Sequence, residues 1–401
     1  MRRLHAALLA CTVLTTFPVL SRPASAGLDA VVTPPGLAPG RARLRDLGIR
    51  IGRGTPGRFN AITDVPGVKV GHVTLVAGDG PLVPGQGPVR TGVTAIVPRE
   101  DVWRNKCFAA GHVFNGNGEV TGMHWVNESG HLETPILLTD TLSVGRVADS
   151  VVSWMCRQYP DMGRLSDTVL PVVAECDDQF LNDQQGRHVR PEHVFAAIDG
   201  ATSGPVAEGC VGAGTGMVAY RFKSGIGTAS RVLPVKTGGY TVGVLVNANM
   251  APRPELRIAG VPVGELITDL MPQLKPSEGS IIMVVATDAP LLPHQLERVA
   301  KRAVMGLSRT GSTGRNSSGD FVLAFSTANT WVENEDATQS VQAAHGDVLD
   351  GVFDSAVEAT EEAIGNALTA ATTTRGWDGH TVHALPLDRL KGLVRKYRPA
   401  N

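Results

Sequence analysis

Residues 276–290 read Pro276-Ser277-Glu278-Gly279-Ser280-Ile281-Ile282-Met283-Val284-Val285-Ala286-Thr287-Asp288-Ala289-Pro290. A polar segment ends at Gly279. Ser280 opens an apolar run that Asp288 and Pro290 close. Such a run, rich in β-branched residues and bounded by breakers, predicts a strand over Ser280–Thr287. It does not alternate between polar and apolar, so both of its faces are expected to be covered. Glycine before serine lets the preceding carbonyl be approached closely. From the residues alone, two readings of this junction stand. It is an ordinary loop entering a strand, or the Gly279–Ser280 bond is cut and Ser280 becomes a chain end. In the second case its hydroxyl lies beside an α-amine with an ordinary pKa of about 7.7–8.0. That is a nucleophile with its own candidate base.

Working outward, further strands are expected over 92–97, 135–139, 168–175, 211–222, 240–248 and 320–327. Helices are expected over 144–158, 291–307 and 352–371. The first carries Val147, Val151, Val152 and Met155 on one side. The second starts with Pro293 near its first turn and sets Leu296, Val299, Ala300 and Ala303 on one face. The third has Phe353, Val357, Ile364 and Leu368 on one stripe. Covered strands alternating with amphipathic helices predict an α/β or α+β single domain. Residues 27–57 are rich in Gly, Pro and Arg and read as a loosely ordered lead-in. Residues 76–91 read as a long turn-rich loop.

The extreme N-terminus reads as a targeting segment. Met1-Arg2-Arg3 is basic, Leu4 to Leu20 is mostly apolar, and Ala24-Ser25-Ala26 follows. That order predicts a secretory signal peptide over 1–26, and a mature chain of 27–401 exported to the periplasm or beyond. No later apolar run is long enough for a membrane span. Lys plus Arg is 37 and Asp plus Glu is 38, giving a net charge of −1. That balance argues against nucleic-acid and polybasic membrane partners, which require a positive field. Of 5 cysteines, Cys11 leaves with the leader. Cys107, Cys156, Cys176 and Cys210 match no metal pattern and read as mostly buried free thiols. His112 and His124 read as structural or surface residues. No metal or other cofactor is expected. Gly212-Ala213-Gly214-Thr215-Gly216 lacks the helix that a dinucleotide fingerprint needs, and reads as a place where backbone packs closely.

Two more segments carry polar groups at strand ends. Asn316-Ser317-Ser318-Gly319-Asp320 puts a hydroxyl and a carboxylate two residues apart before the 320–327 run. Asn247-Ala248-Asn249 puts two amides at the end of another run. Either amide is suited to donate to an oxyanion or to close a turn.

Taken together these segments resemble the DmpA-type aminopeptidases, which include L-aminopeptidase/D-amino-acid esterases and β-peptidyl aminopeptidases. The resemblance runs from Ile62-Thr63-Asp64-Val65-Pro66-Gly67 to about Trp377. It includes Phe114-Asn115-Gly116-Asn117-Gly118-Glu119-Val120-Thr121-Gly122, Leu181-Asn182-Asp183 and Gly225-Ile226-Gly227-Thr228-Ala229-Ser230-Arg231. It implies an αββα sandwich, similar to N-terminal-nucleophile hydrolases but connected differently. It implies self-cleavage at Gly279–Ser280 into an α chain of 27–279 and a β chain of 280–401. Ser280 would be the nucleophile, with Ser318 and Asp320 behind it and Asn249 donating to the oxyanion. Glu175 would bind the free amino group of a small peptide, amide or ester. A homotetramer of processed protomers is implied as well.

Three positions depart from the family's pattern. Asp177 stands where a Tyr is often found, Asp320 where some relatives have Glu, and Asn247 where Gln is common. The pair Asp177-Asp178 beside Glu175 would either favour a cationic substrate end or face solvent. The alternative activity is acyl transfer of the ornithine acetyltransferase type. Those enzymes use Thr as nucleophile and work in the cytoplasm, so Ser280 and the export signal both weigh against it.

Overall fold

The computed structural model describes residues 30–33, 36–273, 279–332 and 338–398. The expected central strand is β12 (Ser280–Thr287), buried at every position. It lies inside a six-stranded sheet ordered β10 (Ile226–Val232), β11 (Thr241–Asn249), β12, β13 (Gly319–Trp331), β4 (Lys106–Gly116) and β5 (His131–Leu132). A five-stranded sheet is ordered β1 (Ala30–Val32), β2 (Lys69–Ala77), β3 (Val89–Val97), β6 (Ile136–Asp140) and β7 (Val172–Cys176). Only β12–β13 and β6–β7 pair in parallel within these two sheets. Parallel neighbours need a crossover. Helix α5 (Pro293–Arg309) supplies the first, and α2 (Val144–Gln158) the second.

The two sheets face each other through Ile96, Leu138, Ala174, Leu245, Ile282, Val284, Phe321 and Phe325. On the outer face of the larger sheet, α5 and α6 (Asp347–Ala370) cover Val244, Met283, Val285 and Val322. On the outer face of the smaller sheet, α2 and α3 (Pro191–Asp199) cover Val73, Val93, Leu137 and Val173. The layers therefore run helix, sheet, sheet, helix. This α+β, αββα sandwich is the architecture that the family resemblance implied. Covering on both sides explains why the central strands are apolar throughout. The fit of α6 on β10 is close: a Cβ on Gly227 would lie 2.0 Å from the Ala363 carbonyl oxygen. Small residues at Ala356, Ala363 and Ala367 keep that helix face thin.

The remaining elements lie outside the two sheets and the four helices that cover them. They are α1 (Met123–Ser129), α4 (Val263–Leu266), α7 (Leu387–Tyr397), the hairpin β8 (Val218–Ala219) with β9 (Phe222–Lys223), and the hairpin β14 (Thr374–Arg375) with β15 (Thr381–Val382). Among the described residues no helix is long and apolar enough to cross a membrane.

Two expectations are corrected. Residues 211–222 are not one strand: Gly212–Gly214 forms a short 3-10 turn, followed by the β8–β9 hairpin. Close approach dictates this, since a Cβ on Gly212 would lie 2.4 Å from Thr94 Oγ1 and one on Gly214 would lie 2.4 Å from the Ile226 nitrogen. The lead-in is ordered where it crosses the core. Leu44, Ile49 and Ile51 are buried, Arg43 pairs with Glu208 and Arg45 with Glu362, both at 2.7 Å. A Gly, Pro and Arg composition concealed those three aliphatic anchors. The four cysteines are free, two of them buried, Cys156 exposed and Cys210 in between. The proposed leader, residues 1–26, lies outside the described residues.

Candidate active site

Strand register brings the candidate residues to one end of the larger sheet. Asn249 on β11 lies opposite Ser280 on β12. On the other side, Ile281 pairs with Asp320 at the start of β13. Ser280, Asn249, Ser318 and Asp320 are all buried. The Ser318 hydroxyl donates to Asp320 Oδ1 at 2.7 Å. Gly319 between them has no room for a side chain: a Cβ would lie 2.4 Å from the Asn117 carbonyl oxygen and 3.1 Å from Ser280 Oγ. Burial pushes the Asp320 carboxyl up to about 6, against the pull of hydrogen bonds from Ser318 and the Ile281 backbone. Its Oδ2 has no hydrogen-bond partner among the described atoms.

The Asn249 amide is fixed in orientation by two bonds. Its Oδ1 accepts from the Val218 backbone N–H at 2.7 Å, and its Nδ2 donates to the Asp177 carbonyl at 2.7 Å. An amide nitrogen carries two hydrogens, so one remains. That nitrogen lies against the Gly279–Ser280 junction: a Cβ on Gly279 would fall 2.5 Å from Asn249 Nδ2 and 1.8 Å from the Asn249 carbonyl oxygen. Glycine is therefore required at 279 for the start of β12 to pair. Gly279→Ala is expected to displace the junction and slow or abolish any chain break there. A denaturing gel of the purified variant checks this, and cleavage at the wild-type rate would contradict it.

Glu175 reaches the same end from the smaller sheet, on β7. Its Oε1 accepts from the Glu119 backbone N–H at 3.1 Å, and the Thr141 hydroxyl donates to Oε2. The glycine before Glu119 sits between this carboxylate and β13, because a Cβ on Gly118 would lie 2.7 Å from Glu175 Oε1 and 3.0 Å from the Phe321 ring. The next residue ties the sheets together: Cys176 Sγ donates to the Asn247 carbonyl at 3.5 Å. Burial raises the Glu175 carboxyl above its ordinary range. The Thr141 and Glu119 hydrogen bonds oppose that, while Asp177 and Asp140 add to it. An arriving ammonium group would draw it back to the charged form.

The acidic pair divides. Asp178 is buried and accepts from Asn182 Nδ2 at 2.9 Å. Asp177 is half-buried, with its carboxylate held by Gln179 and Gln184. Of the two amides, Asn249 meets the junction. Asn247 is buried with neither amide atom partnered among the described atoms.

Sequence reasoning left several supporting groups without a role: Thr141, the Glu119 backbone and Val218. It also assigned none to Asn115 and Asn117, whose amides donate to the carbonyls of Arg315 and Ser317 and so hold the turn before Ser318. The signal available was the polar tip Asn115-Gly116-Asn117-Gly118 on an otherwise apolar strand. His124 is exposed and His112 partly so. Among the described residues no group of three His, Cys, Asp or Glu side chains is arranged to hold a metal ion.

Comparison with known proteins gives the family. The model of peptidase family S58 matches residues 60–382. The β-peptidyl aminopeptidase BapA of Sphingosinicella microcystinivorans is 48% identical over 371 residues, covering 89% of this chain and 92% of that protein. A β-aminopeptidase from Burkholderia sp. superposes with a TM-score of 0.84 at 46% identity, over 90% of this chain and 100% of that one. The L-aminopeptidase D-Ala-esterase/amidase of Ochrobactrum anthropi gives 0.82 at 43% identity, over 88% and 98%. That last structure is described as a prototype for the serine aminopeptidases and a new variant among the Ntn hydrolase fold. This chain belongs to peptidase family S58 and is an aminopeptidase.

Proposed function

We propose that the protein is an exported, self-processing serine aminopeptidase or amidase that releases N-terminal residues from small peptides, amides or esters. The observation that carries this reading is the Asn249 amide lying against the Gly279–Ser280 junction, with the hydrogen-bonded Ser318–Asp320 pair on the adjacent strand. The Ser280 hydroxyl attacks the Gly279 carbonyl and the C–N bond breaks, leaving an ester. Water cleaves the ester into an α chain of 27–279 and a β chain of 280–401. The freed α-amine of Ser280 then takes the hydroxyl proton as Oγ attacks a substrate carbonyl. Asn249 Nδ2 donates to the oxyanion, the proton passes to the leaving amine or alcohol, and water then hydrolyses the Ser280 ester to free the N-terminal residue and restore the hydroxyl. Ser318, held by Asp320, orients or relays that proton. A leader at 1–26 directs export and is then removed. Assembly into a homotetramer rests on the family resemblance. The names of the Sphingosinicella and Burkholderia relatives, a β-peptidyl aminopeptidase and a β-aminopeptidase, support including β-amino acids among the residues released.

Glu175 is the recognition group for the substrate ammonium. A charge-assisted contact in a buried site is strong, and it is lost when either partner is neutral. Glu175→Gln should raise the Michaelis constant for β-alanyl and L-alanyl anilides, and their N-acetylated forms should be poor substrates for the wild type. Equal cleavage of free and acetylated anilides would remove Glu175 from this role.

Asp320 sets one limb of the pH profile. Its carboxylate is the form that accepts from Ser318, so turnover should fall as pH drops through about 6. A second rise is expected where the α-amine loses its proton, at about 7.7–8.0 in the ordinary case. Asp320→Asn should lower kcat and erase the lower limb. A flat profile from about pH 6 to 9 in processed wild-type enzyme would contradict both assignments.

A further inference from the structure

The β8–β9 hairpin turns without glycine. Tyr220 and Arg221 both hold left-handed backbone angles, φ 51° and 56°. Residues with side chains avoid this region, and two in succession persist only where the surroundings over-determine them. The surroundings here do so. The Tyr220 N–H donates to the Met250 carbonyl at 2.7 Å. Buried Arg253 donates to the carbonyls of Tyr220 and Arg221, both at 2.8 Å. At the base of the hairpin, the fully buried Lys223 ammonium donates to the carbonyls of Gly214 at 3.2 Å, Met217 at 2.9 Å and Ser224 at 2.7 Å. The Cys210 side chain also faces this ammonium. Lys223 forms no ion pair with a carboxylate among the described residues. Burying an ammonium is costly, and neutral side chains would fill the volume more cheaply. The hairpin's first N–H, on Val218 directly after the clamped Met217, is the one that donates to Asn249 Oδ1.

We propose that Lys223 and the strained hairpin are a positioning device for the Asn249 amide. They hold the Val218 N–H on Oδ1, so that Nδ2 stays aimed at the Gly279–Ser280 junction and afterwards at the substrate oxyanion. An amide is nearly symmetric in shape but opposite in chemistry at its two ends. Turned over, Asn249 would present an oxygen to the developing negative charge, so a loosened clamp is as harmful as a lost donor. Lys223 touches neither substrate nor reacting atoms; it acts through the Met217–Val218 backbone. The inference rests on the reading of Asn249 as oxyanion donor.

The test is a double-mutant cycle, with kcat expressed per Ser280 amino terminus so that unprocessed chain does not count. Lys223→Met should lower kcat by about 10–10²-fold, the range that a misplaced group costs, and leave KM unchanged. Val218→Pro, which deletes the N–H and leaves Lys223 in place, should do the same; it decides the matter should Lys223→Met fail to fold. In an Asn249→Ala background neither change should lower kcat further, because the amide they position is gone. Additive losses in that background would show a merely structural role and overturn the proposal. So would full kcat in both variants while Asn249→Ala alone is impaired. Full kcat in Asn249→Ala by itself is a different outcome, and it overturns the oxyanion assignment beneath the proposal.

Discussion

Ser280→Ala is expected to remain a single chain and to release no amino acid from any anilide. The substitution removes one oxygen from a buried side chain, so the fold should persist, with a melting temperature within a few degrees of the wild type. What disappears is the hydroxyl to which the proposal gives attack on the Gly279 carbonyl and, after processing, on the substrate. Residual activity near the uncatalysed level is therefore expected, since loss of a nucleophile removes most of the rate enhancement. Ser280→Cys serves as the counterpart. A thiol is a competent attacking group, so this variant should still break at the junction, though at a different rate. A denaturing gel and an anilide assay on the same preparations give both readouts. A cleaved or active Ser280→Ala protein would exclude Ser280 from the chemistry.

Asn249→Ala should reduce kcat by about 10²–10³-fold with little change in KM, the usual result of losing one oxyanion donor. The effect on k is larger than the effect on binding because the donor meets charge that develops only in the transition state. The same change leaves the Val218 N–H and the Asp177 carbonyl without their partner. Each buried group so orphaned costs about 1–3 kcal/mol, so a lowered melting temperature should accompany the kinetic loss. Asn249→Asp should be no better. Its carboxylate still accepts from Val218, but it donates to nothing, sets an oxygen against the Asp177 carbonyl and brings negative charge to the oxyanion. Kinetic loss at least as large as that of alanine, with no gain in stability, is the expected pattern. Wild-type kcat in either variant would exclude this residue as the donor.

The parts of the molecule legible in sequence are those governed by local rules. The strand Ser280–Thr287 was bounded by Gly279 and Asp288 and apolar throughout, and Val144–Gln158 carried a clear helical stripe; both appear over those residues. The candidate site was assembled from family resemblance on segments far apart in the chain. Their meeting depends on register, with Asn249 opposite Ser280 and Asp320 beside Ile281. No local pattern encodes such pairings. The bracket around Asn249 was hidden for another reason. Tyr220-Arg221 carries none of the Asn-Gly or Gly-Gly chemistry that announces a tight hairpin, because its conformation is imposed by Arg253 and Lys223 from outside. The lead-in was misread because three buried aliphatic residues are outnumbered there by Gly, Pro and Arg. The fate of Asp178 was open in sequence; it lies inside the molecule, where the Asn182 amide donates to one of its two carboxylate oxygens.

Intact-mass measurement with N-terminal sequencing of active wild-type protein tests the central claim most directly. The account predicts two chains, one ending at Gly279 and the other beginning Ser280-Ile281-Ile282-Met283. Fully active protein in which the Gly279–Ser280 bond is intact, or in which the break lies elsewhere, would contradict it.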